Sequence, residues 1–196
     1  LGFLAAVGIG LLISLLLSYF IVELHSNGIL SGIALNTLAS GVTIFLLFLI
    51  TGEKGASTSL HSLKLPALNI PLIENIPFVG KILSGQHILT YLSLLLVFAI
   101  ATLFKKSRLG MEIIAVGENP EAAESLGISV KRVKRTALLI SGALTGMAGA
   151  FLSMGYVGLF SAGMTAGRGY IALATQAIAG GNAYLAFLAS LLFGFC

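Results

Sequence analysis

Three groups of residues in this chain have types and spacings that bear on chemistry. The most specific is Asn119, Pro120, Glu121, Ala122, Ala123, Glu124, Leu126 and Gly127. The Asn119 side-chain oxygen suits an N-cap, where it accepts from first-turn amides. Pro120 fits the first helical position, because its missing N–H is one that would find no partner there. Glu121 and Glu124 put negative charge near the positive end of the helix dipole, and Gly127 supplies the left-handed residue that ends a helix. The pattern specifies two turns from Pro120 to about Leu126. That is too short to be stable alone, so the segment must pack on something. Ala122, Ala123 and Leu126 offer a small, smooth apolar side suited to a shallow groove. Folding back on its own bundle is the plainer alternative.

The second group is polar and uncharged. Asn36, Ser40 and Thr43 fall on one face of a helix, with Thr37 beside them, and Thr175 and Gln176 lie further on. Such groups either line a path for an uncharged, hydrogen-bonding solute or bond across helices to hold a bundle. The third group is a set of absences. The sequence contains no G-x-x-x-x-G-K-[ST] phosphate loop, so ATP binding and hydrolysis are not expected of it. His25, His61 and His87 are scattered without metal-ligand spacing, and the single cysteine, Cys196, offers neither a disulfide within the chain nor a cysteine cluster. No nucleophile, base and acid converge in any short stretch. Neither catalysis nor a cofactor or metal is expected.

The elements that position these groups follow from composition. Of 196 residues, 57% are hydrophobic and 9% charged, there is no aspartate, and mean hydropathy is +1.04. Soluble domains carry roughly 25% charged residues, so most of this chain avoids water. About 20 apolar residues cross a bilayer as a helix. Leu1–Val22, Ile29–Ile50, Ile88–Phe104, Thr136–Val157 and Tyr170–Phe195 meet that length. None has Lys, Arg or Glu in its middle, where each would cost about 2.5–3.5 kcal/mol on insertion scales. Continuous runs such as Leu94 to Phe98 do not show the two-residue alternation of a membrane barrel. The expected fold class is all-α, a polytopic transmembrane helical bundle with about five spans. Apolar residues at both ends give the expectation that residues 1–196 are a fragment of a longer transmembrane domain.

Seven of the eleven basic residues are Lys105, Lys106, Arg108, Lys131, Arg132, Lys134 and Arg135. The positive-inside rule places the loop 105–135 in the cytoplasm, and with it the capped segment 119–128. Thr51–Gln86 is then an extracytoplasmic loop. Its Pro66, Pro71 and Pro77 favour extended chain, lying on the membrane face or meeting an outside partner. The turn Glu23–Gly28 would be cytoplasmic although it has no Lys or Arg. In the last span Gly180-Gly181-Asn182 interrupts the helix, so Tyr170–Ala179 reads either as a half-helix or as the first part of a kinked span. Gly142, Gly146 and Gly149, with Ser153, allow close helix packing, either fixed or sliding. Arg168, between two glycines, reads as a snorkelling anchor, with a role in orienting the half-helix or contacting a solute as the alternative.

Taken in order, Glu118 to Ala123, Gly127 to Arg132, Ser141 to Ala150 and Gly163 to Ala174 resemble the permease subunits of ATP-binding cassette importers for sugars, nucleosides and branched-chain amino acids. The last of these, with Ser31 to Asn36, is similar to the subgroup for simple sugars and purine nucleosides. The resemblance covers essentially the whole chain. It implies that Asn119 to about Ile128 is a coupling helix docking on a separate ATPase subunit. It also implies an extracytoplasmic solute-binding protein or lipoprotein, a second permease subunit, and a place in the bacterial plasma membrane. The polar residues then suit a path for a sugar or nucleoside. Such permeases usually follow the glycine pair with Trp and Pro, where this chain has Asn182-Ala183-Tyr184. The competing expectation is a secondary transporter or channel with no ATPase. Carriers of that kind often hold acidic residues inside spans, whereas the seven glutamates here lie in loops or at span ends.

Overall fold

The long apolar stretches have no partner for their backbone amides except one another, and in lipid this drives them into helices. A computed structural model describes residues 2–53, 55–57 and 85–195. Four of its helices are long and apolar enough to cross a membrane: Gly2–Glu23, Gly28–Thr51, Ile88–Lys106 and Val130–Val157. In chain order the elements are α1 (Gly2–Ser18), continued by a π-helical turn Tyr19–Glu23; α2 (Gly28–Thr51); α3 (Ile88–Lys106); α4 (Arg108–Glu118); α5 (Pro120–Ser125); α6 (Val130–Ala150), continued by a π-helical stretch Phe151–Val157; α7 (Arg168–Ala179); and α8 (Ala183–Phe195). Outside these helices, Ala56 and Ser161 form an isolated antiparallel bridge. The protein is a multi-pass helical membrane bundle.

The chain divides into two compact units, Leu1–Ser62 with Phe104–Met164 and Leu63–Leu103 with Thr165–Cys196. In the first, α1 and α6 run antiparallel and pack along their length. A Cβ on Gly146 would stand 2.6 Å from the Ala6 carbonyl oxygen and 3.0 Å from the Val7 Cα, and one on Gly142 would stand 2.7 Å from the Gly10 carbonyl oxygen. Gly10 in turn faces Gly142 and Gly146. Three glycines therefore let two backbones touch. Gly149 does not share this role, since a Cβ there would meet nothing within 4 Å. Beyond Gly146 the filling passes to side chains, with Met154 against Gly2.

At the end opposite the basic residues, the Ser57 amide donates to the Phe160 carbonyl at 2.9 Å and the Phe160 amide to Ser57 Oγ at 3.0 Å. This ties the chain beyond α2 to the chain beyond α6. At the basic end a tight turn joins α1 to α2. Asn27 caps α2, accepting from the amides of Ile29 at 2.9 Å and Leu30 at 3.3 Å, and Ser26 Oγ donates to the Phe20 carbonyl at 2.7 Å.

In the second unit the interruption of the fifth apolar stretch is complete. Gly180 and Gly181 have φ of 53° and 84°, a region glycine enters without steric cost. Asn182 then starts a new helix, its side chain accepting from the Tyr184 amide at 3.0 Å. The stretch is two short helices, 12 residues in α7 and 13 in α8, rather than one kinked span. The Tyr184 ring meets Phe98 of α3 edge-on at 6.2 Å between centroids.

Two boundaries move from their expected positions. The segment 105–135 is helical through most of its length, because α4 precedes the capped segment and α6 begins at Val130 rather than Thr136. The expected loop Thr51–Gln86 lies largely outside the described residues, as does His61.

Candidate functional site

The capped segment forms α5 and has the local geometry its residues dictate. Asn119 Oδ1 accepts from the amides of Glu121 and Ala122, both at 3.1 Å. Gly127 ends the helix at φ 80°. Its amide donates to the Glu124 carbonyl at 2.9 Å, and the Ile128 amide reaches back to Ala123 at 3.1 Å. These two bonds are a Schellman motif, which satisfies carbonyls a helix end otherwise leaves unmatched. Both termini of a six-residue helix are thus closed by its own flanking residues.

Packing then divides its surface. Ala123 is 2% exposed and forms an apolar cluster with Val116 of α4 and Val133 of α6, with Ile113, Ala115, Ile128 and Val130 around it. Ala122, Glu121, Glu124 and Ser125 face outward, and Leu126 is 79% exposed. The smooth side expected from Ala122, Ala123 and Leu126 is therefore split. Ala123 is an inward anchor that α5 needs because so short a helix cannot stand alone. Ala122 and Leu126 remain on the outer surface with Glu121.

Helix α4 is the part of this site that the sequence reading passed over. Ser107 caps it, with its hydroxyl accepting from the Gly110 amide at 3.0 Å, and Arg108 pairs with Glu112 one turn on at 3.0 Å. A serine cap followed by Ile113 and Val116 at helical spacing was the available signal. A cluster of three helices thus replaces a loop carrying one helix.

A second contact was also not foreseen. Glu23, at the end of the π-helical turn after α1, accepts from Lys131 Nζ at 3.3 Å and from Arg135 Nη2 at 3.2 Å. Lys131 and Arg135 are one turn apart on α6, so one carboxylate spans both. Basic residues at a helix N-terminus oppose its dipole, and the carboxylate offsets part of that repulsion. The pairing also sets the Glu23–Gly28 turn at the same end of the bundle as the basic cluster.

The polar groups proposed for a path divide between the two units. In the first, Asn36, Ser40 and Thr43 are exposed on α2. Ser40 Oγ donates to the Asn36 and Thr37 carbonyls at 3.0 and 2.9 Å, and Thr43 Oγ1 to Ala39 and Ser40 at 2.8 and 3.0 Å. These hydroxyls are satisfied within their own helix, not across helices. In the second unit Thr175 is buried and donates to the Ala172 carbonyl at 2.7 Å, while Gln176 is exposed. Arg168 opens α7 directly after Gly167, whose φ is 75°.

Comparison with known proteins supplies an independent view of this arrangement. The family profile described as "Branched-chain amino acid transport system / permease component" matches residues 1–196. The chain is 33% identical over 172 residues to the putative glucose ABC transporter permease protein TsgC13 of Haloferax volcanii, covering 86% of this chain and 50% of that protein. It is 36% identical over 189 residues to the nucleoside ABC transporter permease protein NupC of Lactococcus lactis, covering 95% and 58% respectively. With the guanosine ABC transporter permease protein NupQ of Bacillus subtilis it shares 33% identity over 150 residues, or 76% and 46%. The chain spans about half the length of these relatives. No solved structure matches it. With a profile match along its whole length and a helical bundle of the right kind, this chain belongs to the family of branched-chain amino acid transport system permease components.

Proposed function

We propose that this chain is part of the membrane-spanning permease of an ATP-binding cassette importer, and that segment 119–128 is the coupling helix on which a separate ATPase subunit docks. The observation that carries the reading is α5 itself. It is a doubly capped knob, bolted by Ala123 to two other helices and presenting Glu121, Ala122 and Leu126 outward beside the basic cluster. That basic end is the cytoplasmic one, where ATP is available. The chain itself forms no ATP site and does no chemistry on the solute. Energy comes from the partner's closure against α5.

Relatives named for glucose, nucleosides and guanosine support a hydroxyl-bearing, uncharged solute such as a simple sugar or a nucleoside. In the first unit the exposed Asn36–Ser40–Thr43 face of α2 is the candidate contribution to its path; in the second, Thr175 and Gln176 are a separate candidate. A second permease subunit and an extracytoplasmic solute-binding protein or lipoprotein complete the assembly, in the plasma membrane of a bacterium.

The test is a charge reversal on the outer surface of the knob. Glu121→Lys leaves the Asn119 cap and the Ala123 anchor untouched. It is expected to abolish uptake and co-purification of the ATPase from a permease that still inserts. Retained association and transport in this variant reject the docking role. Ala123→Trp is not an equivalent probe, since its target is the interior of the cluster.

A further inference from the structure

Two contacts flank the start of α6. Val130 and Val133 belong to the cluster that holds α5, while Lys131 and Arg135, one turn apart from each other, grip Glu23 at the end of α1. Residues 130–135 are therefore a junction, with the knob on one side and the end of a membrane-spanning helix on the other. Further along, the backbones of α1 and α6 meet at Gly10, Gly142 and Gly146, with no room for so much as a methyl group. A contact of that kind resists sliding, because any axial shift drives a Cβ-bearing neighbour into the opposing backbone. Ser14, on the same seam, is buried and donates to the Leu11 carbonyl at 2.9 Å. The α1–α6 pair is thus held at two separated places, one steric in mid-helix and one ionic at the basic end.

We infer that Glu23 is a positioning residue for coupling: by clasping Lys131 and Arg135 it joins α1 to the knob-bearing end of α6, so that a displacement of α5 moves α1 and α6 as one body. This rests on the docking role proposed above for α5, and it adds which helix follows the knob. The glycine seam alone fixes the middle of the pair and leaves the end of α1, which is wound as a π-helix from Tyr19 to Glu23, to be held by the clasp. Without it, motion arriving at Val130 is absorbed at that end rather than passed to α1. The carboxylate does not touch the solute or the ATPase surface. Its effect is transmission.

The experiment uses the full-length permease, its ATPase and its binding protein reconstituted in vesicles. Glu23→Gln is expected to leave ATPase co-purification and basal hydrolysis unchanged while solute imported per ATP hydrolysed falls at least about fivefold, the lower end of measured couplings between distant sites. A covalent replacement of the clasp provides the second arm. In a Cys196→Ser background, Glu23→Cys with Arg135→Cys, joined by a bifunctional methanethiosulfonate that spans the reach of the two replaced side chains, is expected to transport with restored coupling, and reduction is expected to abolish that rescue. Unchanged coupling in Glu23→Gln overturns the inference. So does loss of ATPase association, which would make Glu23 part of the knob's own fold. Blocked uptake in the cross-linked form also overturns it, by showing that the contact opens during transport. Should Glu23→Gln fail to insert, the cross-linked pair decides alone. Failure of the docking role is read separately from Glu121→Lys, whose association with the ATPase does not depend on Glu23.

Discussion

At the scale of single residues, α5 is a structure whose stability is set almost wholly by its ends and one buried methyl. Asn119 satisfies two amides, and replacing such a cap by Ala costs roughly 1 kcal/mol. For a six-residue helix that is a large share of what holds it. Asn119→Ala is expected to weaken ATPase association without abolishing it, and to speed amide exchange at Glu121 and Ala122, which hydrogen exchange on the purified permease would measure. Ala123 tells a different story. Its side chain is enclosed by Val116 and Val133, so Ala123→Leu overpacks the cluster at about 1–3 kcal/mol. Leu126→Ala, at an exposed position, is expected to leave the permease's melting temperature unchanged while lowering ATPase affinity. A melting shift from Leu126→Ala as large as that from Ala123→Leu would mean that the outer and inner surfaces of α5 are wrongly assigned.

At the scale of elements, the α1–α6 pair shows how a small-residue pattern becomes a contact. Without a hydrophobic drive between helices in lipid, close backbone approach supplies the attraction. Gly142→Ala and Gly146→Ala each place a methyl where backbone or Ser14 already stands. Both are expected to lower the melting temperature of the detergent-solubilised permease and to reduce assembled protein. Gly149→Ala enters open space and gains helix propensity of up to about 1 kcal/mol, so it is expected to be neutral or slightly stabilising. Equal losses from all three would contradict the seam described here. The break at Gly180-Gly181 belongs to this scale too. Two consecutive left-handed residues end α7, and Asn182 restarts the chain as α8 with a side-chain cap. That cap and the two left-handed glycines separate the helices with no proline at the break.

At the scale of the whole molecule, the proposed function depends on orientation, and the proposed orientation rests on charge. The basic cluster, the knob and the Glu23 turn gather at one end of the first unit, and the Ser57–Phe160 pairing lies at the other. A cysteine placed at Ser125, on the outer surface of α5, is expected to react with a membrane-impermeant maleimide only after cells are opened. Labelling in intact cells would place the knob outside and remove the importer reading altogether. Binding measurements on the solute-binding protein proposed as partner are expected to find a simple sugar or a purine nucleoside, and binding of amino acids alone would refute that substrate class.

Much of this is legible in the sequence itself, because it depends on interactions local in sequence or on composition. Apolar length dictated the spanning helices, since lipid leaves the backbone no other way to bond. The residues Asn119, Pro120 and Gly127 dictated α5 and both its ends, because capping engages only neighbours within a turn. Consecutive glycines marked the interruption before α8. What tertiary structure alone decided is which side chains meet across long stretches of chain. That Ala123 turns inward while Leu126 turns out depends on where Val116 and Val133 stand. That Gly142 and Gly146 touch α1 while Gly149 does not depends on how the two helices run past each other. The clasp of Glu23 on Lys131 and Arg135 joins positions more than one hundred residues apart, and no local propensity encodes a meeting at that separation.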